Sequence, residues 1–235
     1  LRSGTISVWQ QLSSILAVFR LAPETGRRFP SYVAGQYIAL RREGCRLTRR
    51  VVGPDGRPRY APDLDALGRQ KRGPVMHPYS IASAPIRAER EGHLEFVVAL
   101  EVSDGLGRFT EALFDMDPRE GATLGYFERV TGDFTLERRA AGVPHALMVA
   151  SGTGIAPFAS MVRQLDHQAA EGGSVPWRVT LLFANRTRPE LAFHDQLAAI
   201  ADARRFDFVY VPTVSRPAEG AGDPSLGRGR IGNVL

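Results

Sequence analysis

Short runs of β-branched and aromatic residues recur through the first part of the chain, separated by glycine, proline and charged residues. Such runs are typical of β-strands, because these side chains pack well on a pleated surface. Six of them are predicted to be strands: residues 5–10, 15–20, 36–41, 79–83, 94–100 and 122–127. Phe109, Leu113 and Phe114 have helical spacing and predict one short helix between the last two strands. We therefore expect an antiparallel β-barrel of the Greek-key type at residues 1–141.

The hydrophobic pattern changes after about residue 142, where apolar strands alternate with amphipathic helices. Strands are predicted at residues 145–150, 178–184 and 206–214, and helices at residues 156–169 and 191–204. This βαβαβ order is typical of a parallel sheet with helices on its faces. The second domain, residues 142–235, is therefore expected to be an α/β domain.

A glycine-containing turn joins the first strand and the first helix of this second domain. Residues 151–157 read Ser-Gly-Thr-Gly-Ile-Ala-Pro. Glycines let the backbone approach a pyrophosphate, and the N-terminus of a helix attracts an anion. A tight turn without a ligand is the alternative interpretation, but the βαβ context favours nucleotide binding. The predicted phosphate-binding residues are Gly152, Thr153, Gly154 and Pro157.

Arginines follow the second and third strands of the α/β domain. Many dinucleotide-binding domains carry Asp or Glu at the end of the second strand, where it binds a ribose hydroxyl. Here Arg186 stands at that position, and Ser215 and Arg216 follow the third strand. A guanidinium matches the geometry of a phosphate, so these residues favour NADP over NAD. Arg230 is a further candidate for the same site.

Another candidate site lies in the barrel, where residues 77–83 read His-Pro-Tyr-Ser-Ile-Ala-Ser. A tyrosine followed by hydroxyl-bearing residues can stack on a planar ring and hydrogen-bond to its heteroatoms. The same residues are also common in strands that bind no ligand. The order in which this motif and the others occur is more specific than any one of them.

Taken in order, the motifs resemble those of the ferredoxin–NADP reductase family, most closely of its bacterial type. Residues 34–37 resemble the family's Pro-Gly-Gln-Tyr strand entry, and Tyr79-Ser80 matches its Arg-x-Tyr-Ser flavin motif. The turn at residues 152–157 matches its NADP loop closely. Later landmarks of the family resemble residues 102–110, 185–186, 190–191, 214–216 and 229–231.

The resemblance implies an FAD site on the barrel. Tyr79 would pack against the isoalloxazine ring and Ser80 would lie near its N5 atom, so these are the two predicted catalytic residues. His77 occupies the position of the family's pyrophosphate-binding arginine, and Arg108 or another arginine is expected to make that contact instead. The other cofactor-binding candidates near the flavin are Ile81, Ser83, Gly107 and Thr110.

The function implied by the resemblance is electron transfer from NADPH, through FAD, to a one-electron carrier such as ferredoxin or flavodoxin. Two alternatives stay open: an NADH-dependent oxygenase-reductase component or flavin reductase, and a non-catalytic electron-relay flavoprotein. The family continues past the equivalent of Leu235 with a Cys-Gly strand and a C-terminal tail. The α/β domain is therefore expected to be incomplete here.

Composition narrows the class of protein further. The 235 residues are 43% hydrophobic and 23% charged, which is typical of a globular chain. Cys45 is the only cysteine, which excludes a disulfide scaffold and a four-thiolate cluster. His145, His167 and His194 lack metal-ligand spacing, so no metal site is expected. Residues 140–161 are uncharged, but glycines and prolines interrupt them, and we expect a soluble, cytoplasmic protein without a membrane segment.

The positive charge is concentrated in one segment. The chain carries a net charge of +5, and residues 41–75 hold nine arginines and Lys71 against four acidic residues. Glycines, prolines and the lack of a sustained period predict a long loop. A nucleic-acid partner is not expected, because the basic residues of a nucleic-acid-binding protein usually spread over one face among aromatic residues. We expect the segment to dock an acidic redox carrier, with an FAD-phosphate contact or a solvated insertion as the alternatives.

Overall fold

A computed structural model describes residues 1–101, 108–116, 122–216 and 226–229 of the chain. The strands are β1 (Arg2–Ser13), β2 (Leu16–Pro23), β3 (Tyr37–Arg46), β4 (Thr48–Val52), β5 (Pro58–Pro62), β6 (Arg72–Ser80), β7 (Leu94–Ala99), β8 (Thr123–Thr131), β9 (His145–Ser151), β10 (Arg178–Asn185), β11 (Phe208–Val214) and β12 (Gly227–Arg228). The helices are α1 (Pro85–Glu91), α2 (Arg108–Phe114), α3 (Leu136–Arg139), α4 (Ile155–Ala170) and α5 (His194–Ala203). Two short 3-10 turns cover Gly152–Gly154 and Arg188–Glu190.

The first part of the chain forms a curled antiparallel sheet with the strand order β6-β3-β8-β1-β2-β7. Its inner face holds fully buried side chains such as Phe19, Phe96 and Tyr126. The ladder is not continuous between the two edge strands. After β6 ends, however, the Ala82 N–H donates a hydrogen bond to the carbonyl of Glu95 in β7, at 2.8 Å. The expected antiparallel domain is confirmed, and its shape is that of a curled sheet with edges that meet.

The basic segment at residues 41–75 is not the long loop that its composition predicts. It comprises the second half of β3, the ribbon of β4 and β5, and the start of β6. Within the ribbon, Thr48 pairs with Pro62 and Val52 with Pro58. The loop prediction was wrong because each strand of the ribbon is only five residues long, β4 holding two arginines and β5 two prolines, so that no alternation of apolar and polar residues is visible. Five of its ten basic residues form ion pairs with acidic neighbours: Arg41, Arg46, Arg59, Arg69 and Lys71.

The second part of the chain forms a parallel sheet with the order β12-β11-β10-β9, as the βαβαβ pattern predicts. The ladder pairs Ala184 with Ser151 and Asn185 with Val214. The carboxyl ends of β9, β10 and β11 therefore lie level with one another. Helices α4 and α5 connect these strands, and α4 buries Ala159 and Val162 against the sheet.

The two sheets share a buried apolar interface. On β2, Ala17 and Phe19 face the interior of the curled sheet, whereas Leu16 and Val18 join the core of the parallel sheet. A strand buried on both faces appears in the sequence as a continuous apolar run, which is how β2 reads. Gly35 has φ +99°, and a Cβ there would lie 2.1 Å from the Phe134 carbonyl oxygen, so only glycine fits. The domain boundary after residue 141 stays a prediction.

Two kinds of feature are absent from the described residues. None of their helices has both the length and the apolar character needed to cross a lipid bilayer. No group of three or more His, Cys, Asp or Glu side chains among them is arranged to hold a metal ion.

Candidate functional site

Strand β6 brings three aromatic rings together on the curled sheet. Tyr79 pairs with Ile38 across the ladder, and its ring centroid lies 5.3 Å from that of Phe109 in α2. His77, two residues earlier on the same face of β6, meets Phe109 edge-on at 5.9 Å. Burial raises the pKa of the Tyr79 phenol, so this side chain is neutral at physiological pH. Ser80 ends the strand, half-buried, and pairs with Tyr37.

A positive charge stands beside this aromatic group. Burial, together with the charge of Arg108, lowers the pKa of His77, so the imidazole is neutral and cannot replace an arginine. Arg108 begins α2, and its buried Nε atom has no hydrogen-bond partner within the described residues. A buried donor without a partner is uncommon, and this one is available to a ligand. A phosphate of a dinucleotide near Tyr79 fits this donor.

The other predicted residues near the flavin lie in different surroundings. Ile81 is fully buried in the core of the curled sheet. Thr110 is buried in α2, and its hydroxyl oxygen accepts a hydrogen bond from the Glu101 N–H at 3.1 Å. Ser83 is 2% exposed, and its hydroxyl oxygen accepts a hydrogen bond from the Glu95 N–H at 3.2 Å. The structure therefore places Ser83 in the contact between the two sheets. Gly107 lies outside the described residues.

The predicted glycine turn lies between β9 and α4. Gly152 has φ +54°, a left-handed conformation that glycine adopts without strain. A Cβ at Gly152 or Gly154 would meet no atom within 4 Å, so the space above the turn is open. Pro157 is the third residue of α4, a position where its missing N–H costs no helical hydrogen bond. An open turn at the start of a 16-residue helix is a suitable geometry for a phosphate.

The carboxyl edge of the parallel sheet lines a cavity of about 390 Å³. Backbone hydrogen bonds join its two arginine-bearing segments, from the Ser215 N–H to the Asn185 carbonyl at 3.0 Å and from the Arg216 N–H to the Arg186 carbonyl at 2.7 Å. This edge is where parallel α/β sheets bind their ligands. The cavity lining includes Ile15, Leu16, Ser151, Gly152, Arg186 and Ser215. Arg230 lies outside the described residues.

Glu190 belongs to the landmark at residues 190–191, but the sequence pattern does not reveal its place in this site. Its side chain is only 4% exposed and forms a two-point ion pair with Arg186, one contact of which joins Arg186 Nε to Glu190 Oε2 at 3.1 Å. Burial alone would raise the pKa of Glu190, but hydrogen bonds from Arg186 and Ser13 hold it below its usual value. The carboxylate is therefore charged and compensates Arg186. The sequence has no acidic residue at the end of β10, but the 3-10 turn that follows supplies one.

A second buried ion pair fixes the two sheets relative to each other. Arg163 in α4 is 4% exposed, and its Nη1 donates to Glu95 Oε2 in β7 at 2.7 Å. Arg20 Nε donates to the other oxygen of Glu95 at 3.0 Å. The Arg163 guanidinium also lies 4.0 Å from the centroid of the Phe193 ring and donates to Gln196 at 2.5 Å. The helix that follows the glycine turn is thereby tied to the sheet that carries Tyr79.

Comparisons with known proteins agree with this architecture. The family described as the oxidoreductase NAD-binding domain matches residues 148–232. Ferredoxin–NADP reductase B of Sorangium cellulosum is 35% identical over 130 residues, 55% of this chain and 46% of the relative. NADH-cytochrome b5 reductase 2 of Rattus norvegicus is 32% identical over 88 residues, 37% of this chain and 30% of the relative. The matches thus span less than half the length of either curated relative.

Among solved structures, the chain resembles a ferredoxin NADP+ reductase from Neisseria gonorrhoeae with bound FAD and NADP. The TM-score is 0.64 at 22% identity, and the match covers 97% of this chain and 72% of the other. The shared feature is the fold, an antiparallel sheet ahead of a nucleotide-binding α/β sheet. The matching family and relatives are flavoprotein reductases of the ferredoxin–NADP reductase type, which confirms the resemblance seen in the sequence.

Proposed function

We propose that this chain transfers electrons from NADPH, through FAD, to an acidic one-electron carrier such as ferredoxin or flavodoxin. Bound FAD supplies the chemistry, since it accepts a hydride from a reduced nicotinamide and releases electrons one at a time. The chain supplies binding and alignment. Tyr79 packs against the flavin ring, Ser80 donates a hydrogen bond near its N5 atom, and Arg108 holds a phosphate.

The nucleotide site carries the proposal most directly. The open turn at Gly152–Gly154 lies at the same sheet edge as Arg186, Ser215 and Arg216, which the backbone holds side by side. We assign the pyrophosphate of NADP to the turn and its 2′-phosphate to the hydroxyl and guanidinium groups. Arg230 belongs to the same proposal, although it lies outside the described residues.

One observation favours a second candidate, an NADH-using reductase. Arg186 is paired with the buried carboxylate of Glu190, so its charge is not fully available to a 2′-phosphate. The rat relative carries NADH in its name. The two candidates differ in nucleotide preference and agree on the FAD site.

The FAD site is tested with the variant Tyr79→Ala, because loss of aromatic stacking removes roughly 1 kcal/mol beyond the buried area. We expect FAD to dissociate from this variant about fivefold more readily than from the wild type. Tyr79→Phe is the matched control, since it keeps the ring and loses only the hydroxyl. Equilibrium dialysis with FAD measures the three dissociation constants.

The outcomes of this experiment are distinct. Wild-type affinity in Tyr79→Phe together with weakened affinity in Tyr79→Ala supports the placement of the flavin ring. Equal FAD affinity in all three proteins would contradict it, as would an absence of FAD binding by the wild-type chain.

A further inference from the structure

The charge balance of the cavity at the parallel sheet edge depends on one buried side chain. Among the described residues that line this cavity, Arg186 is the one charged side chain, and the carboxylate of Glu190 pairs with it. The Glu190 carboxylate accepts hydrogen bonds from Nε and Nη2 of Arg186, which leaves Nη1 for another ligand. A phosphate bound at Arg186 therefore shares this guanidinium with a carboxylate.

Glu190 is held in place from several directions. Asn185 Nδ2 donates to the Glu190 carbonyl at 2.7 Å, and Nε of Arg186 donates to its carboxylate at 3.1 Å. The side chain is nearly inaccessible to water, so solvent screens its charge poorly. An exposed acid in the first turn of α5 behaves differently: Asp195 pairs with Arg188, and its side chain is 84% exposed.

We propose that Glu190 is a specificity-determining residue that limits the preference of this chain for a 2′-phosphorylated nucleotide. Its fixed negative charge repels the 2′-phosphate, whereas a nucleotide with a free 2′-hydroxyl is indifferent to it. The sheet edge thereby binds NADPH through Arg216 and Ser215 while it keeps measurable affinity for NADH. This inference rests on the proposed function, because it places the 2′-phosphate beside Arg186.

The variant Glu190→Gln removes the charge and keeps one of the two hydrogen bonds, since the amide oxygen still accepts from Arg186. The probes are adenosine 2′,5′-bisphosphate and 5′-AMP, which differ only in the 2′-phosphate, and calorimetry measures binding without catalysis. We expect the bisphosphate to bind about three- to tenfold more tightly to Glu190→Gln, and 5′-AMP to change less than about twofold. Asp195→Asn is the matched control and should leave both affinities within about twofold of the wild type.

A second background keeps the test valid if Glu190→Gln alone folds poorly. In Arg186→Gln the bisphosphate should bind about tenfold more weakly than to the wild type. Adding Glu190→Gln to that variant leaves no unpaired buried charge at this pair. The double variant should bind the bisphosphate about three- to tenfold more tightly than Arg186→Gln does. No gain in either background, or weaker binding of the bisphosphate in both, would overturn the proposal.

Failure of the proposed function would look different. If Arg186→Gln and Arg216→Gln both leave bisphosphate affinity unchanged, the 2′-phosphate does not bind at this edge, and the nucleotide assignment is wrong. If they weaken it while Glu190→Gln has no effect, the assignment stands and only the role of Glu190 fails.

Discussion

His77 and Arg108 lie beside the Tyr79 ring, and only the arginine carries a positive charge there. The imidazole is kept neutral because burial and the neighbouring guanidinium both lower its pKa. Arg108 in turn has a buried donor that no described residue satisfies. A dinucleotide phosphate placed at Arg108 would satisfy this donor and bring the ring system to Tyr79.

The lowered pKa of His77 makes the stability of the chain sensitive to acid. The unfolded chain takes up a proton at His77 near pH 6.5, roughly its ordinary pKa, and the folded protein does so only at lower pH. The contribution of neutral His77 is therefore complete well above about pH 6.5 and is lost as the pH falls from that value through the lower pKa of the folded protein. We expect the wild type to lose more stability than His77→Asn between about pH 7.5 and 5.5.

Urea unfolding at the two pH values measures this difference. His145→Asn, at an exposed position, is the control and should follow the wild type. Parallel losses in the wild type and in His77→Asn would show that His77 does not control the acid response.

Residue types at the two sites could be identified from the sequence, but their partners could not. Tyr79, Ser80 and the glycine turn belong to local motifs, so short sequence windows reveal them. The pairing of Arg186 with Glu190 depends on a 3-10 turn, and Ser83 is drawn into the contact between the sheets by residues far along the chain. Such contacts depend on tertiary folding, and single-sequence patterns do not encode them directly.

At the scale of elements, segments with strong hydrophobic periodicity were predicted correctly, whereas some short helices and strands were missed. Strands β9 to β11 and helices α4 and α5 are long and regular, and all five were predicted. Helix α1 was missed although Pro85 at its start and Gly92 after its end are typical helix boundaries. The ribbon of β4 and β5 was missed because its alternation is short and its composition resembles that of a loop.

The ribbon is also where the proposed carrier would dock. Arg49, Arg50 and Arg57 form no ion pair with any described residue, in contrast to Arg59 and Arg69. Unpaired positive charge accelerates the encounter with an acidic protein and does so less at high salt. We expect replacement of the three unpaired arginines by Gln to slow association with an acidic ferredoxin by roughly tenfold at low salt.

The control replaces Arg59 and Arg69 by Gln, which also exposes the charges of Asp55 and Asp65. Stopped-flow association measured across a range of salt concentrations compares the two sets of variants. If the ribbon docks the carrier, association becomes slower and less dependent on salt when the unpaired arginines are replaced. A wild-type association rate in the variant that lacks Arg49, Arg50 and Arg57 would mean that the ribbon takes no part in docking the carrier.

At the scale of the whole molecule, a shared core joins the sheet that carries Tyr79 to the sheet that carries the glycine turn. Residues of β2 and β7 face α4, and the buried pair of Arg163 and Glu95 crosses the same contact. Breaking one side of a buried ion pair is costly, so this contact resists rotation of one sheet against the other. The relative placement of Tyr79 and the glycine turn is thus built into the fold.

The central claim is that one chain holds FAD and a nicotinamide nucleotide so that a hydride passes between them. Anaerobic mixing of the FAD-loaded chain with NADPH tests it most directly. The account predicts loss of the oxidised-flavin absorbance, faster with NADPH than with an equal concentration of NADH. A chain that retains its FAD and keeps the oxidised spectrum at saturating concentrations of both nucleotides would contradict it.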